Sequence, residues 1–144
     1  MSAADLGRSL LEGHRVLAAE LVLSLEERGY PDLRAGHLAV FQHVDRRSGT
    51  RLTELAGRAR MTKQGMMLVV DDLEARGYVR RVPDPVDARA KIVRLTAHGR
   101  RAAAEARRAV QSLEARAKRQ LGDRRYDTLR EVIDELTSGE DFWA

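Results

Sequence analysis

The sequence predicts a mainly α-helical protein with one small β-hairpin. Apolar residues recur three and four positions apart over most of the 144 residues, which is the spacing of an amphipathic helix. The pattern changes where two strand-like segments, at 78–82 and 90–95, flank a proline-marked turn at 83–87. The order of helices and hairpin is therefore the feature that a functional hypothesis has to explain.

The first helix is predicted from a leucine stripe that ends at Gly29 and Pro31. Glycine caps helices, and proline cannot continue one. A second helix is expected over 34–47, where Gly49 follows its end. The residues expected to face inward from this second helix are Leu38, Phe41 and Val44.

Two short helices come next. Thr53 lies in the first turn of the third helix, and Thr62 has the side chain of an N-cap for the fourth. The fourth helix is expected to end at Gly77. Its predicted inward-facing residues are Met66, Val69, Val70 and Leu73.

A long fifth helix is expected from an N-cap at Thr96 to about Leu121. Its small and apolar residues form a heptad-like seam of Ala103, Ala106, Val110, Leu113, Ala117 and Leu121. The seam has too little volume to form a core of its own, so it suits close packing against either the first helix or a partner chain. A last helix presents an apolar stripe of Tyr126, Leu129, Ile133 and Leu136.

Positive charge is concentrated in the segment that contains the two short helices and the hairpin. Residues 51–101 hold 12 Lys and Arg against 6 Asp and Glu, a net charge of +6, whereas the rest of the chain has a net charge of −2. Such a segment is either a solvated basic face or a surface that binds nucleic-acid phosphates. A helix pair followed by a basic hairpin is the layout of a winged helix-turn-helix, which favours nucleic acid.

Composition excludes several other classes of protein. A chain of 144 residues suits a single domain, and the absence of cysteine excludes disulfides, thiol redox sensing and cysteine-ligated metal. No signal peptide and no apolar run of about 20 residues is present, so the protein is expected to stay in the cytoplasm. No catalytic motif, cofactor motif or metal-ligand spacing is found, and no enzyme activity, cofactor or metal is predicted.

Two motifs stand close together in the basic segment. The first runs over 69–81, VVDDLEARGYVRR, and the second over 84–99, from DPVDARAK to LTAHG. Both resemble motifs of the MarR (multiple antibiotic resistance regulator) family of transcription factors. The resemblance follows the whole order of elements, so 1–144 is interpreted as one MarR-type domain. Within it, 34–98 would be the winged helix-turn-helix DNA-binding region, flanked by N- and C-terminal dimerisation helices at 1–29 and 99–144.

The resemblance implies a homodimeric repressor whose two recognition helices enter successive major grooves of a pseudo-palindromic operator, about 10 bp apart. Arg89 would be the wing-tip arginine that reaches the minor groove or its phosphates, with Asp87 holding it in place; the alternative is a local ion pair. The DNA-binding residues predicted in this way are Arg51, Thr53, Arg60, Thr62, Lys63, Gln64, Met67, Arg81, Asp87, Arg89 and Lys91.

The predicted recognition helix departs from the family at Met67 and Leu68, where many members carry Ser or Thr and then a basic residue. Gln64 can address an adenine and Lys63 a guanine or a phosphate, but Met67 can contact only a thymine methyl group. The alternative for Met67 is packing in the core, where Met66 is expected to lie. The alternative to an operator-reading regulator is a degenerate winged-helix dimer that binds DNA nonspecifically or binds proteins.

Members of the family commonly release DNA when a small aromatic or lipophilic ligand binds between the dimer helices and the winged helix. The residues that would line such a crevice here are His14, Arg15, His37 and Phe41. The residues predicted to form the dimer interface are Leu113, Ala117, Leu121, Leu129, Ile133, Leu136, Phe142 and Trp143. An ordinary intrachain core is the alternative for this last set.

Overall fold

A computed structural model describes residues 5–139 and Trp143, and it confirms a mainly helical protein with a small antiparallel sheet. The chain forms two compact units, 1–109 and 110–144. In chain order the elements are α1 Leu6–Glu27, α2 Ala35–His43, β1 Thr50–Arg51, α3 Leu52–Arg58, α4 Lys63–Ala75, β2 Val79–Pro83, β3 Lys91–Leu95, α5 Ala97–Leu121 and α6 Asp123–Ser138. No helix in the described part of the chain is both long and apolar enough to cross a bilayer.

Two threonine hydroxyls begin the helices on either side of the hairpin. The Thr62 side chain accepts a hydrogen bond from the Gly65 N–H at 3.0 Å, at the start of α4. The Thr96 side chain accepts one from the Gly99 N–H, also at 3.0 Å, at the start of α5. Each hydroxyl satisfies a backbone donor that has no partner inside the helix, so both predicted N-caps are confirmed.

The second helix ends earlier than the apolar pattern indicates. The prediction of a helix to residue 47 is wrong, because α2 stops at His43. The Asp45 carboxylate accepts hydrogen bonds from the N–H groups of Arg47 and Ser48, both at 2.9 Å, and these bonds hold the pKa of Asp45 below its usual value. An aspartate that bonds the backbone two and three residues ahead stabilises a turn in place of a further helical turn.

The sheet has three strands in the order β1-β3-β2, all antiparallel. The central residue is Val93 of β3, which lies opposite Arg81 of β2 and opposite Thr50 of β1. Strand β1 was not predicted, because it is only two residues long and its partner is some 40 residues away in sequence. Gly49 precedes it at φ +74°, where an added Cβ would lie 2.6 Å from the Val93 carbonyl oxygen.

The core of the first unit lies between the three short helices and the sheet. Met66, Val70 and Leu73 of α4 are buried and Val69 is half-buried against them, so the inward face predicted for this helix is confirmed. The first half of α5 contributes Ala102, Ala103 and Ala106 to the same core. Other fully buried members are Leu25, Leu33, Val40, Leu55, Tyr78, Val79 and Val93.

The second unit contains the end of α5 and all of α6. Arg130 of α6 donates to the Glu114 carboxylate at 3.1 Å, and Lys118 lies 4.0 Å from the Asp123 carboxylate across the turn at Gly122. The described part of α6 has no buried residue, and Leu129, Val132 and Ile133 are exposed. This apolar stripe therefore has no cover within the described part of the second unit.

Candidate nucleic-acid interface

The N-terminal half of α4 presents a continuous exposed surface. Lys63, Gln64, Met67 and Leu68 are exposed, whereas Met66 is fully buried. Met67 is thus a surface residue, and the alternative that it belongs to the core is excluded by its 39% exposure. Because the N-terminal residues of a recognition helix contact base edges, this surface has the position expected of a DNA-reading face.

A groove of about 390 Å³ separates the beginning of α3, the exposed side of α4 and the hairpin. Its walls include seven of the eleven residues predicted to bind DNA, namely Arg51, Thr53, Lys63, Met67, Arg81, Arg89 and Lys91. The structure therefore brings together residues that are up to 40 positions apart in sequence. The other four predicted residues, Arg60, Thr62, Gln64 and Asp87, lie outside the lining of this groove.

Arg51 is paired with Asp84, a residue of the hairpin turn that the sequence-based prediction did not single out. The Asp84 carboxylate is almost fully buried, and its Oδ2 lies 2.5 Å from Nε of Arg51. Its Oδ1 accepts a hydrogen bond from the Val86 N–H at 2.9 Å. These contacts, first the Val86 N–H and then the guanidinium, lower the pKa of Asp84. An Asp before proline in a turn is the local signal that marks such a residue.

Asp87 holds the backbone of Arg89 and not its guanidinium. The Asp87 carboxylate accepts a hydrogen bond from the Arg89 N–H at 3.0 Å. Neither an ion pair between the two side chains nor another polar contact of the guanidinium is found among residues 5–139. Asp87 thus constrains the turn that carries Arg89, and the guanidinium of Arg89 is exposed at the tip of the hairpin.

Arg81 has an intrachain function. Its guanidinium forms ion pairs with Asp71 and with Glu74, the second at 2.9 Å, and its backbone N–H donates to Glu74 at 2.8 Å. Its side chain is only 20% exposed. Contact with DNA would require the guanidinium to leave two carboxylates of α4, so Arg81 is described better as the residue that joins β2 to the recognition helix.

Arg60 lies in the turn between α3 and α4 with a left-handed backbone, at φ +52°. The Arg60 N–H donates to the Gly57 carbonyl at 3.1 Å, and the Met61 N–H donates to the Ala56 carbonyl at 2.9 Å. This pair of bonds is the Schellman motif. Its left-handed position is normally occupied by glycine, and Gly77 occupies the equivalent position after α4. An arginine here stores about 1–2 kcal/mol of backbone strain.

His37 is a structural histidine. Its Nδ1 accepts the Arg34 N–H at 2.9 Å, so the ring carries its proton on Nε2 and donates it to the Asp72 carboxylate at 2.5 Å. Asp72 also accepts from Arg76 at 3.0 Å, and the His37 and Arg76 bonds lower its pKa. Both ring nitrogens are occupied, and the ring is 4% exposed, which argues against the predicted role of His37 in binding an effector.

The other three predicted effector residues do not form one site with it. Phe41 is buried in the core, where its ring meets Tyr78 edge-on with centroids 6.0 Å apart. His14 and Arg15 lie on the exposed surface of α1, where Arg15 is 3.8 Å from Glu12. Of the four residues predicted to bind an effector, His37 and Phe41 are therefore buried, and His14 and Arg15 are exposed.

The predicted dimer residues lie in the second unit. Leu129, Ile133 and Trp143 are exposed, and the Trp143 indole N–H donates to the Leu136 carbonyl at 3.4 Å. The half-buried members are Leu113, Ala117, Leu121 and Leu136. Phe142 lies outside the described residues.

The arrangement of the helix pair, the basic groove and the hairpin is that of a winged helix-turn-helix transcriptional regulator. A model of the MarR family matches residues 31–90 of the chain. No match was found among curated protein sequences. The fold and the family match agree, and the chain is similar to MarR-family transcriptional regulators.

Three solved structures illustrate the similarity. The transcriptional repressor CouR, bound to a 23-mer DNA duplex, is 25% identical, with a TM-score of 0.78 over 91% of each chain. A MarR family protein of Mycobacterium tuberculosis, in complex with salicylic acid, is 27% identical, with a TM-score of 0.68 over 94% of this chain and 98% of the other. Wild-type MarR from E. coli is 21% identical, with a TM-score of 0.76 over 94% and 99%.

Proposed function

We propose that the chain is a homodimeric transcriptional repressor that binds a pseudo-palindromic operator through α4 and the hairpin, and that a small aromatic or lipophilic ligand releases it. The observation that carries the proposal is the convergence of basic side chains on one groove beside the exposed N-terminal half of α4. Arg and Lys side chains that neutralise phosphates supply most of the sequence-independent affinity for DNA. The DNA-bound state of CouR, which has the same fold, supports this reading.

Each part of the interface has a separate task in this proposal. Lys63 and Gln64 project from the first turn of α4, where they reach base edges in the major groove. Arg89 extends from the hairpin tip into the adjacent minor groove, whose negative potential attracts a guanidinium. Thr53, Arg60 and Lys91 contact the phosphate backbone on either side. Arg51 and Arg81 hold the hairpin against the helices.

Dimerisation rests on apolar surface that each unit leaves uncovered. The 22-residue helix α1 buries only Leu25, although Leu6, Leu10 and Leu17 lie along it at 58%, 42% and 51% exposure. In the second unit α6 exposes Leu129 and Ile133. Exposed apolar patches of this extent usually mark an interface. A two-fold dimer would place one recognition helix on each half-site, which is why the operator is expected to be pseudo-palindromic.

An effector is supported by two relatives. One structure is that of CouR from Rhodococcus jostii RHA1 bound to p-coumaroyl-CoA, and another is the M. tuberculosis protein in complex with salicylic acid. Both ligands combine an aromatic ring with an anionic group. In this chain His14 and Arg15 are the predicted effector residues that remain exposed, so a ligand of the same chemistry would be recognised from α1.

A salt titration of DNA binding tests the regulator. The full-length protein is titrated into its own upstream intergenic DNA and into scrambled DNA of equal length, between about 50 and 200 mM salt. We expect binding to the intergenic DNA to be tighter by ~10³ or more, and to weaken steeply as salt rises. Equal, weak binding to both duplexes would contradict an operator-reading regulator.

The exposed Met67 and Leu68 favour a second candidate, a winged-helix dimer that binds DNA nonspecifically or binds a protein. Replacing Arg89 discriminates between the regulator and the protein-binding form of this second candidate, and the comparison with scrambled DNA discriminates the nonspecific form. An operator-reading regulator should lose affinity for its specific duplex in Arg89→Ala, whereas a protein-binding module should keep its partner.

A further inference from the structure

Two adjacent apolar side chains lie on the DNA-facing surface of α4. Met67 is 39% exposed and Leu68 is 70% exposed. Residues four apart share a face of a helix, so Met67 follows Lys63 and Leu68 follows Gln64. The surface thus consists of two parallel rows, each with a polar side chain in the first turn and an apolar one in the second.

The next turn of the helix carries carboxylates that are already paired. Asp71, which follows Met67, forms an ion pair with Arg81, and Asp72, which follows Leu68, accepts hydrogen bonds from His37 and Arg76. Carboxylates near phosphates are repelled, and here each is neutralised by a neighbour on the protein. The surface available for bases therefore ends at Leu68, and the apolar pair lies inside it.

The major groove offers one apolar group, the 5-methyl group of thymine. Met67 and Leu68 have no hydrogen-bond donor, so a polar base edge against them would lose its water without gaining a partner. We infer that Met67 and Leu68 read thymine 5-methyl groups in each half-site, next to the base pairs that Lys63 and Gln64 contact. This inference rests on the proposed function, because it assigns a specificity to the proposed interface.

Replacing thymine by uracil tests the inference directly, because uracil lacks the methyl group and keeps every hydrogen-bonding atom. The full-length protein first selects its operator from a random duplex library. Each thymine of the selected half-site is then replaced singly by deoxyuridine, and the affinity is measured again. We expect the affinity to fall about fourfold for each methyl group that the apolar pair covers, because that is the contribution of burying one methyl group.

The protein variants locate the effect. Leu68→Ala and Met67→Ala should bind the thymine operator more weakly and should lose their sensitivity to uracil at the position that each side chain covers. The matched control is Val86→Ala in the hairpin turn, where an 86% exposed apolar side chain is shortened in the same way. This control should keep the full sensitivity, since the minor groove has no methyl group.

The outcomes separate the inference from the function on which it rests. If the library yields no enriched sequence, the proposed operator-reading function fails. If an operator is selected but every uracil duplex binds as well as its thymine parent, the regulator stands and the methyl readout is overturned. If Leu68→Ala and Met67→Ala retain full uracil sensitivity, the inference is likewise overturned, because other side chains then read the methyl groups.

Discussion

The carboxylate of Asp84 and the guanidinium of Arg51 join the hairpin to the helix-turn-helix, with Oδ2 and Nε 2.5 Å apart. Arg51 is the residue that precedes α3, and Asp84 follows the last residue of β2. The pair therefore fixes the turn that presents Arg89 relative to the helices that present Lys63. This makes Arg51 a residue that positions the interface, in addition to any phosphate it contacts.

The Asp84–Arg51 pair should contribute to stability in a pH-dependent way. Because the pKa of Asp84 is lowered from 3.8 on folding, its contribution is present above pH 3.8 and is lost as the pH falls through the lower folded-state pKa. We expect Asp84→Asn to lower Tm at neutral pH, and the difference from wild type to shrink below pH 3.8. Thermal unfolding followed by circular dichroism from pH 7 to pH 2 measures it.

Comparing wild type with Asp84→Asn at each pH cancels the effect that protonation of the other carboxylates has on Tm. Asp127→Asn on the exposed surface of α6 serves as the control, since it removes a carboxylate with no hydrogen bond to the hairpin. A Tm difference for Asp84→Asn that is constant over the whole pH range would refute the assigned role.

Arg60→Gly should stabilise the fold and weaken DNA binding. Glycine adopts φ +52° without strain, so the free energy of unfolding is expected to rise by about 1 kcal/mol. Losing one phosphate contact should reduce the slope of log K against log salt by about 1. Denaturant unfolding and a salt titration give the two values. Gly77→Ala, at φ +82° after α4, provides the opposite case and should lose about 1 kcal/mol. An Arg60→Gly variant that gains stability with unchanged affinity would show that the arginine does not touch DNA.

Arg89→Ala should weaken operator binding by about tenfold or more, because a guanidinium in a narrow minor groove has no substitute in alanine. The fold should be unaffected, since the side chain makes no polar contact with residues 5–139. Fluorescence anisotropy with a labelled operator measures the loss. Arg8→Ala on α1 removes the same charge from an exposed site and should bind as wild type does; equal losses in both variants would point to net charge alone.

Leu129→Asp or Ile133→Asp should yield monomers or insoluble protein, because a carboxylate on an apolar interface loses its water without gaining a partner. Size-exclusion chromatography with light scattering measures the mass. Ser138→Asp is the control, because Ser138 lies on the face of α6 opposite to Leu129. A soluble Leu129→Asp dimer would count against this stripe as the interface.

Local signals predicted much of the fold. Thr62 and Thr96 cap helices through bonds to residues three positions ahead, and Gly77 ends one, so short stretches of sequence sufficed. Strand β1 has only two residues and depends on β3, which lies far along the chain. The sequence does not reveal that pairing.

In the candidate site, too, local motifs were predictable from the sequence, whereas contacts between residues far apart in the chain were not. Lys63, Met67 and Arg89 were predicted to bind DNA and do line one groove, because the motif order brings α4 and the hairpin together. The partners of Arg81 and His37 were missed, since Asp72 lies 35 positions from His37 and pairs with it only in the folded chain. Whether an arginine faces DNA or a carboxylate is decided by such contacts.

The first turn of α5 and the base of the hairpin cannot move independently. A Cβ on Gly99 would collide with the carbonyl oxygen of Tyr78, and that carbonyl also accepts the Thr96 N–H at 3.0 Å. The backbone of the first turn of α5 is thus in direct van der Waals contact with the backbone at the base of the hairpin. A displacement of the start of this helix would therefore be passed directly to the base of the hairpin, whose turn carries Arg89.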